Sequence, residues 1–196
     1  KNKYSNELDK KNSENFQENL KIINNQIKQI EKLVNEFSDF ARMPKPLFKQ
    51  NNLIEIIEIN LELLKKIDTD IEINFSFKEK LFINCDYEQI SRVFFNLINN
   101  SIESISEKSE KNGDFIKFID IEIIDKSDYI TISITDNGIG FSTNIIKNIT
   151  KPYFTTKRKG SGLGLSIVNK IINDHNGSIK FNSSNNGAKI ELVLPK

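Results

Sequence analysis

Asp136 heads the run Asp136-Asn-Gly-Ile-Gly140, and twenty residues on, Gly160-Ser-Gly-Leu-Gly-Leu165 repeats the glycine punctuation; five of the chain's eight glycines fall between Gly138 and Gly164. Glycine reaches positive φ and admits close backbone approach but weakens helices and strands, so such a cluster indicates backbone shaped around a ligand. Asp136 ends an apolar strand-like run, where its carboxylate can accept from an exocyclic amine; a charge-assisted bond of that kind is worth about 1.5–3 kcal/mol. The plain alternative is an Asp-Asn-Gly turn. The second cluster opens into a helix expected from about Leu163, where backbone N–H groups and the helix dipole attract phosphate oxygens. Lys157, Arg158 and Lys159 stand just before it, as added charge for phosphates or as an exposed basic run. Upstream, Arg92-Val-Phe-Phe-Asn-Leu-Ile-Asn-Asn-Ser-Ile-Glu103 puts Asn96 and Asn100 four apart on one helix face with Arg92. Asparagine is a mediocre helix former, and its neutral amide oxygen is a hard ligand suited to Mg2+; solvated asparagines in an Asn-rich chain are the alternative.

Hydrophobic periodicity indicates the elements that must hold these residues. Leu53, Ile56, Ile57, Leu61 and Leu64 give a helix from about Asn51 to Lys66. Period-two alternation predicts strands at Ile71 to Phe77, Phe115 to Ile124 and Tyr129 to Thr135, with a final pair at Ser178 to Phe181 and Lys189 to Leu194. Helices are expected at Tyr87 to Ile105 and Leu163 to His175, and Ser106 to Gly113 as a polar surface loop. Helices gathered between hairpin-like strand pairs give an α/β class, a two-layer sandwich with one sheet face covered.

A different period precedes them. Phe16, Leu20, Ile23, Ile27, Ile30, Val34, Phe37 and Ala41 alternate steps of four and three, a heptad seam that suits packing against other helices. Pro44 and Pro46 should end this helix near Ala41. The boundary is placed there, giving residues 1–46 as a helical unit with linker and 47–196 as the α/β domain.

With Lys+Arg 28 against Asp+Glu 27 the net charge is +1, so no global field favours nucleic acid or an anionic membrane. One cysteine, Cys85, cannot form an internal disulfide, and no 18-residue apolar span is present, so the segment reads as cytoplasmic. Absence of Gly-x4-Gly-Lys-Ser/Thr and of His-Arg-Asp argues against Walker-type and eukaryotic-type kinases.

In order and spacing, Asn96-x3-Asn100, Asp136-x-Gly138-x-Gly140, Pro152-Tyr-Phe154, Gly160-x-Gly162-x-Gly164 and Gly187-Ala188 resemble the N, G1, F, G2 and G3 boxes of bacterial sensor histidine kinases. Glu36-Phe-Ser-Asp-Phe-Ala-Arg-Met-Pro-Lys-Pro46 resembles the end of the second dimerisation helix in kinases of the nitrogen-regulation NtrY type. The resemblance implies a Bergerat ATP-binding fold, preceded by a long helix from a helical-hairpin dimerisation domain. It implies Mg2+ and ATP as cofactors, with Asn100 as the Mg2+ ligand, Asp136 reading adenine, and Phe141 to Lys159 as a mobile lid. It places Asn96, Asn100, Asp136, Gly138, Gly140, Phe154, Thr155, Lys157, Gly160, Ser161, Gly162, Leu163, Gly164 and Leu165 around the nucleotide. A homodimer through about residues 14–42, a response-regulator receiver domain as partner, and membrane attachment only through parts outside this segment of an inner-membrane sensor are also implied.

Three features bear on activity. The family phosphorylates a histidine in a His-Glu-x-x-Asn-Pro-like box, absent here; the sole histidine, His175, reads as a helix-end residue, so the acceptor is expected upstream of Lys1. In gyrase-like relatives a glutamate at the position of Asn96 activates water, which an amide cannot do. Glu103 is acidic where many sensor kinases are basic. Phosphoryl transfer to histidine is the expected activity; a nucleotide-binding or dimerisation module without turnover and a gyrase-like ATPase are the alternatives.

Overall fold

The computed structural model describes the backbone of residues 2–66, 70–77, 79–157, 160–184 and 186–196, and side chains from residue 15 onward except at 29, 32, 36, 39, 112, 143 and 184. The chain divides into two compact units, Lys1–Met43 and Pro44–Lys196. No helix among the described residues is long and apolar enough to cross a membrane.

The first unit is one helix, α1 (Asn2–Ala41). Arg42 N–H donates to the Ser38 carbonyl at 2.9 Å, closing the last turn two residues before Pro44 forbids another. The seam residues Phe16, Leu20, Ile23, Ile27, Ile30, Val34 and Phe37 are all exposed on the single chain, by 43% to 64%.

The second unit comprises β1 (Lys49–Asn52), α2 (Leu53–Lys65), β2 (Ile71–Phe75), β3 (Phe82–Cys85), α3 (Tyr87–Asn112), β4 (Lys117–Asp125), β5 (Tyr129–Asp136), α4 (Thr143–Ile146), α5 (Gly164–Asp174), β6 (Ser178–Ser184) and β7 (Gly187–Pro195). The main sheet runs β2-β4-β5-β7-β6, parallel between β2 and β4 and antiparallel elsewhere. On β5, Ile130, Ile132 and Ile134 are buried, and they pair in register with the buried Leu194, Leu192 and Ile190 of β7. That face meets α3, whose buried stripe is Ile90, Val93, Phe94, Leu97, Ile98, Ile102 and Ile105; α2 and α5 pack against α3 in turn. The period of two carries the inward series 130, 132, 134 on to Asp136, which therefore points its carboxylate at the helices.

Three features depart from the sequence expectations. Lys49–Asn52 and Phe82–Cys85 form a small antiparallel sheet of their own, and a short helix stands at Thr143–Ile146. The stretch Ser106 to Gly113, expected as a loop, is helix as far as Asn112. Its polar residues carry no breaker: Ser106 Oγ donates to the Ile102 carbonyl at 2.9 Å, and Lys111 pairs with Glu107 one turn back at 2.7 Å. Gly113, at φ 81°, ends the helix.

Candidate functional site

Asp136 is 5% exposed at the end of β5. Its Oδ1 accepts from Gly138 N–H at 2.9 Å and from Ala188 N–H at 3.4 Å, and its Oδ2 accepts from Ser101 Oγ of α3 at 3.0 Å. Burial raises its pKa above the ordinary carboxylate value; the donors Gly138, Ser101 and Ala188 and the charge of Lys108 pull the other way without cancelling it. The result is a buried acceptor fixed by its donors, of a kind suited to reading a neutral amine. Asn137 turns outward and zips the start of β4, donating to Ile116 O at 2.6 Å and accepting from Phe118 N–H at 3.0 Å. Lys108 Nζ, over the Phe115 ring, donates to Asn137 O at 2.6 Å and ties this turn back to α3.

Gly138 is where the strand end meets the helix. A Cβ there would lie 2.2 Å from Ser104 Oγ and 2.7 Å from the Ser104 carbonyl carbon. Ser104 Oγ accepts from Ile139 N–H at 3.0 Å. Gly187, φ 131°, flanks Asp136 from β7, and a Cβ there would lie 1.9 Å from Asp136 O. Gly140 has φ 67°.

One and two turns toward the N-terminus of α3, the two asparagines face other parts of the site. Asn96 Nδ2 donates to Arg92 O at 2.8 Å, and its Oδ1 lies 3.0 Å from where a Cβ on Gly164 would stand. Asn100 Oδ1 accepts from Lys157 Nζ at 3.0 Å. Lys157 is also ion-paired with Glu103, whose other oxygen accepts from Asn99 Nδ2 at 2.9 Å. Glu103 therefore faces the site, with Lys157 supplying a positive charge beside it. Arg158 and Lys159 lie outside the described residues.

The second glycine run folds back on Tyr153 to Lys157. Gly162, φ 71°, lies so close to the Tyr153–Phe154 peptide that a Cβ would stand 2.5 Å from the Tyr153 carbonyl carbon. A Cβ on Gly160 would lie 2.8 Å from Thr155 Oγ1, the oxygen that also accepts from Lys157 N–H at 3.1 Å. Ser161 Oγ accepts from Leu163 N–H at 3.3 Å. Leu163 is buried, Phe154 and Leu165 are half-buried, and α5 starts at Gly164 without a side-chain cap. Its first-turn N–H groups keep their capacity to meet an anion.

The structure thus brings four segments together along one helix. Successive positions of α3 meet Gly164 (from Asn96), Lys157 (from Asn100), Asp136 (from Ser101) and the Gly138–Ile139 turn (from Ser104). Ser101 and Ser104 were not singled out from the sequence. The available signal was Ser101 in register with the apolar Leu97, a hydroxyl on a buried stripe that requires a partner. Among the described residues no group of three His, Cys, Asp or Glu side chains gathers to hold a metal. Asn100 Oδ1 faces the Lys157 ammonium beside the Glu103 carboxylate, and a neutral amide fits Mg2+ that takes its remaining ligands from phosphates and water.

His175 is 2% exposed. Its Nδ1 lies 2.8 Å from Ile171 O and its Nε2 accepts from Asp86 N–H at 3.1 Å, with Phe48 edge-on at 5.1 Å between ring centroids. It caps α5 where Asn176, φ 55°, turns the chain and Gly177 N–H reaches Ile172 O at 2.8 Å, the Schellman arrangement. Both ring nitrogens are committed to holding the fold.

Residues 85–196 match the family of histidine kinase-, DNA gyrase B-, and HSP90-like ATPases. A protein named sensor histidine kinase NtrY-like from Rickettsia prowazekii (strain Madrid E) is 33% identical over 192 residues, covering 97% of this chain and 31% of that protein. The chain therefore spans about a third of that curated relative's length. The catalytic domain of the histidine kinase ThkA is 30% identical, with a TM-score of 0.66 over 76% of this chain and 96% of that one. ThkA in complex with the response regulator protein TrrA gives a TM-score of 0.70 at 28% identity, over 89% of this chain and 49% of that chain. With the Asp136 turn, Lys157 and the start of α5 meeting on α3 and its fold shared with kinase catalytic domains, the chain belongs to the family of histidine kinase-, DNA gyrase B-, and HSP90-like ATPases.

Proposed function

We propose that this chain is the catalytic portion of a sensor histidine kinase, which binds Mg2+-ATP and transfers the γ-phosphoryl to a histidine outside these residues. The observation that carries the reading is the convergence on α3 of the Asp136 turn, Lys157 and the start of α5. Asp136, held by Ser101 and Gly138, accepts from the adenine amine. Gly138 and Gly140 shape one wall of the pocket. Gly160, Ser161, Gly162, Leu163, Gly164 and Leu165 bring backbone N–H groups to the phosphates, while Phe154, Thr155 and Lys157 line the segment Phe141 to Lys159 that acts as the lid. Asn100 would hold Mg2+, which when bound would neutralise phosphate charge, and the chain's own contribution is mainly positioning and electrostatics. Asn96 borders the phosphate end and, as an amide, cannot serve as a general base, which favours transfer over hydrolysis.

The sole histidine is buried and hydrogen-bonded through both nitrogens, which is why the acceptor is assigned elsewhere. The remaining architecture follows the same reading: residues 1–46 as the second helix of a dimerisation hairpin with its linker, a homodimer through the exposed seam, and a response-regulator aspartate as recipient. The same reading makes the chain a cytoplasmic segment of an inner-membrane sensor. Titration calorimetry with Mg2+ and a non-hydrolysable ATP analogue tests the site. Asp136→Ala abolishes binding and Asn100→Ala removes its Mg2+ dependence; unchanged affinity in both would sink the assignment.

A further inference from the structure

Two oxygens of α3 converge on one ammonium. Lys157 Nζ donates to Asn100 Oδ1 at 3.0 Å and is ion-paired with the Glu103 carboxylate. Asn100 and Glu103 are three apart, so both face the same side of the helix. Glu103 is oriented by Asn99 Nδ2, which occupies its other oxygen at 2.9 Å. Lys157 arrives from 54 residues along the chain, and its side chain is 33% exposed. An ion pair of this exposure adds little to stability. Its consequence lies in where it puts the charge, against the amide oxygen assigned above to Mg2+.

We propose that Lys157 and the divalent cation compete for Asn100 Oδ1, and that Glu103 is the positioning residue that sets the strength of the competitor. The inference rests on the reading of Asn100 as the metal ligand. Mg2+ requires its oxygens at about 2.0–2.1 Å in near-ideal octahedral geometry. An ammonium on the same amide oxygen would then stand within a few ångströms of a dication, where like-charge repulsion is strong in a partly buried site. The ammonium must leave Asn100 for the metal to be held. Glu103 keeps hold of it, so that it moves aside without swinging into solvent and remains beside the phosphate end of the cleft. The site thereby carries its own monovalent cation, exchanged for the divalent one as metal-nucleotide binds. Glu103, acidic at a position where a basic group would suit a phosphate directly, acts through the lysine it holds.

The test is the Mg2+ concentration giving half-maximal binding of a non-hydrolysable ATP analogue, measured by calorimetry on the full 196-residue chain. Lys157→Met removes the competitor and lowers this midpoint about tenfold, the equivalent of one charge-assisted hydrogen bond lost. Glu103→Asp keeps the charge but withdraws the carboxylate by one methylene from Lys157, and lowers the midpoint in the same direction. The double variant shifts it no further than Lys157→Met alone, because Glu103 acts only through Lys157. Melting temperatures confirm that the variants fold. A midpoint unchanged by Lys157→Met, or shifts that add in the double variant, would overturn the competition while analogue binding stands. Absence of analogue binding by the unmodified chain overturns the nucleotide assignment itself and the competition with it.

Discussion

Replacing Gly138 by alanine tests whether the cleft depends on contact between the end of β5 and α3. Gly138 carries no positive φ, so the backbone itself accepts a side chain and the whole effect is steric. The added Cβ falls 2.2 Å from Ser104 Oγ, 2.8 Å from Ser104 Cβ and 2.7 Å from the Ser104 carbonyl carbon. Ordinary contact begins at 3.4 Å, so the hydroxyl must retreat by about 1.2 Å and the helix backbone by about 0.7 Å. The hydroxyl can rotate, but the carbonyl carbon moves only with α3. Overpacking of this kind costs about 1–3 kcal/mol, which for a chain of this size lowers the melting temperature by roughly 2–4 °C per kcal/mol. Because Ser101 and Asn100 ride on the same helix, the shift also displaces the donor to Asp136 and the amide facing Lys157, and analogue affinity falls at least about tenfold. Gly113→Ala is the control. Its Cβ meets nothing within 4 Å, yet its φ is 81°, so it carries strain of about 1–3 kcal/mol without touching the site. Thermal denaturation and calorimetry on both variants separate the two causes: comparable loss of stability, loss of affinity in Gly138→Ala alone. A Gly138→Ala chain that melts and binds like the unmodified one would refute the steric argument.

Asp136→Asn keeps Oδ1 for Gly138 N–H and can donate to Ser101 Oγ, but it removes a carboxyl whose folded pKa is raised by burial from 3.8. Such a group binds its proton more tightly folded than unfolded, so the unmodified chain loses stability as pH rises from about 3.8 through the folded value. The melting temperature of Asp136→Asn relative to wild type therefore climbs across that window and stays above it at neutral pH, while analogue binding is lost; a gap that is flat or shrinks between about pH 3.5 and pH 8 contradicts the burial argument. Incubation with radiolabelled ATP leaves His175 unlabelled because both its ring nitrogens are engaged, and acid-labile label mapped to that residue would overturn the assignment of the acceptor elsewhere. Ile27→Asp, in the exposed seam of α1, shifts sedimentation toward monomer, and a wild-type chain already monomeric at high concentration would remove the seam as a dimer interface.

The elements with strong periods were legible because burial dictates them. Ile130, Ile132 and Ile134 alternate since one sheet face meets α3, and the same alternation makes Asp136 inward-facing by its position in the series alone. Lys189 to Leu194 reads as a strand for the same reason. The small sheet was not legible, since Lys49–Asn52 has no apolar alternation and is held by amides: Asn51 Nδ2 donates to Cys85 O at 2.8 Å, and Asn52 Oδ1 accepts from Leu81 N–H at 3.2 Å. Side-chain bonds to distant backbone leave no period in the sequence. The last two turns of α3 were hidden for the converse reason: a run of Ser, Glu and Lys looks like loop until its i,i+4 pair and the reach of Lys108 to Asn137 are known.

At the site, motif residues are separate in sequence because each belongs to a different element, and α3 is what makes them neighbours. That explains why the glycines alone carry little information and why their order matters. Gly138 is glycine because Ser104 is there, and Gly162 because the Tyr153–Phe154 peptide crosses it, while a Cβ at Gly164 would press only on the amide tip of Asn96. Each of these glycines records a partner elsewhere in the chain, so the boxes encode contacts within the fold as well as the residues that would face a ligand. The partners that sequence reasoning passed over, Ser101 and Ser104, are the α3 ends of such contacts. Glu103 follows the same logic. Its acidity looks misplaced if the helix is imagined facing phosphate directly, and it becomes intelligible once Lys157, 54 residues away, is seen to lie between the carboxylate and Asn100.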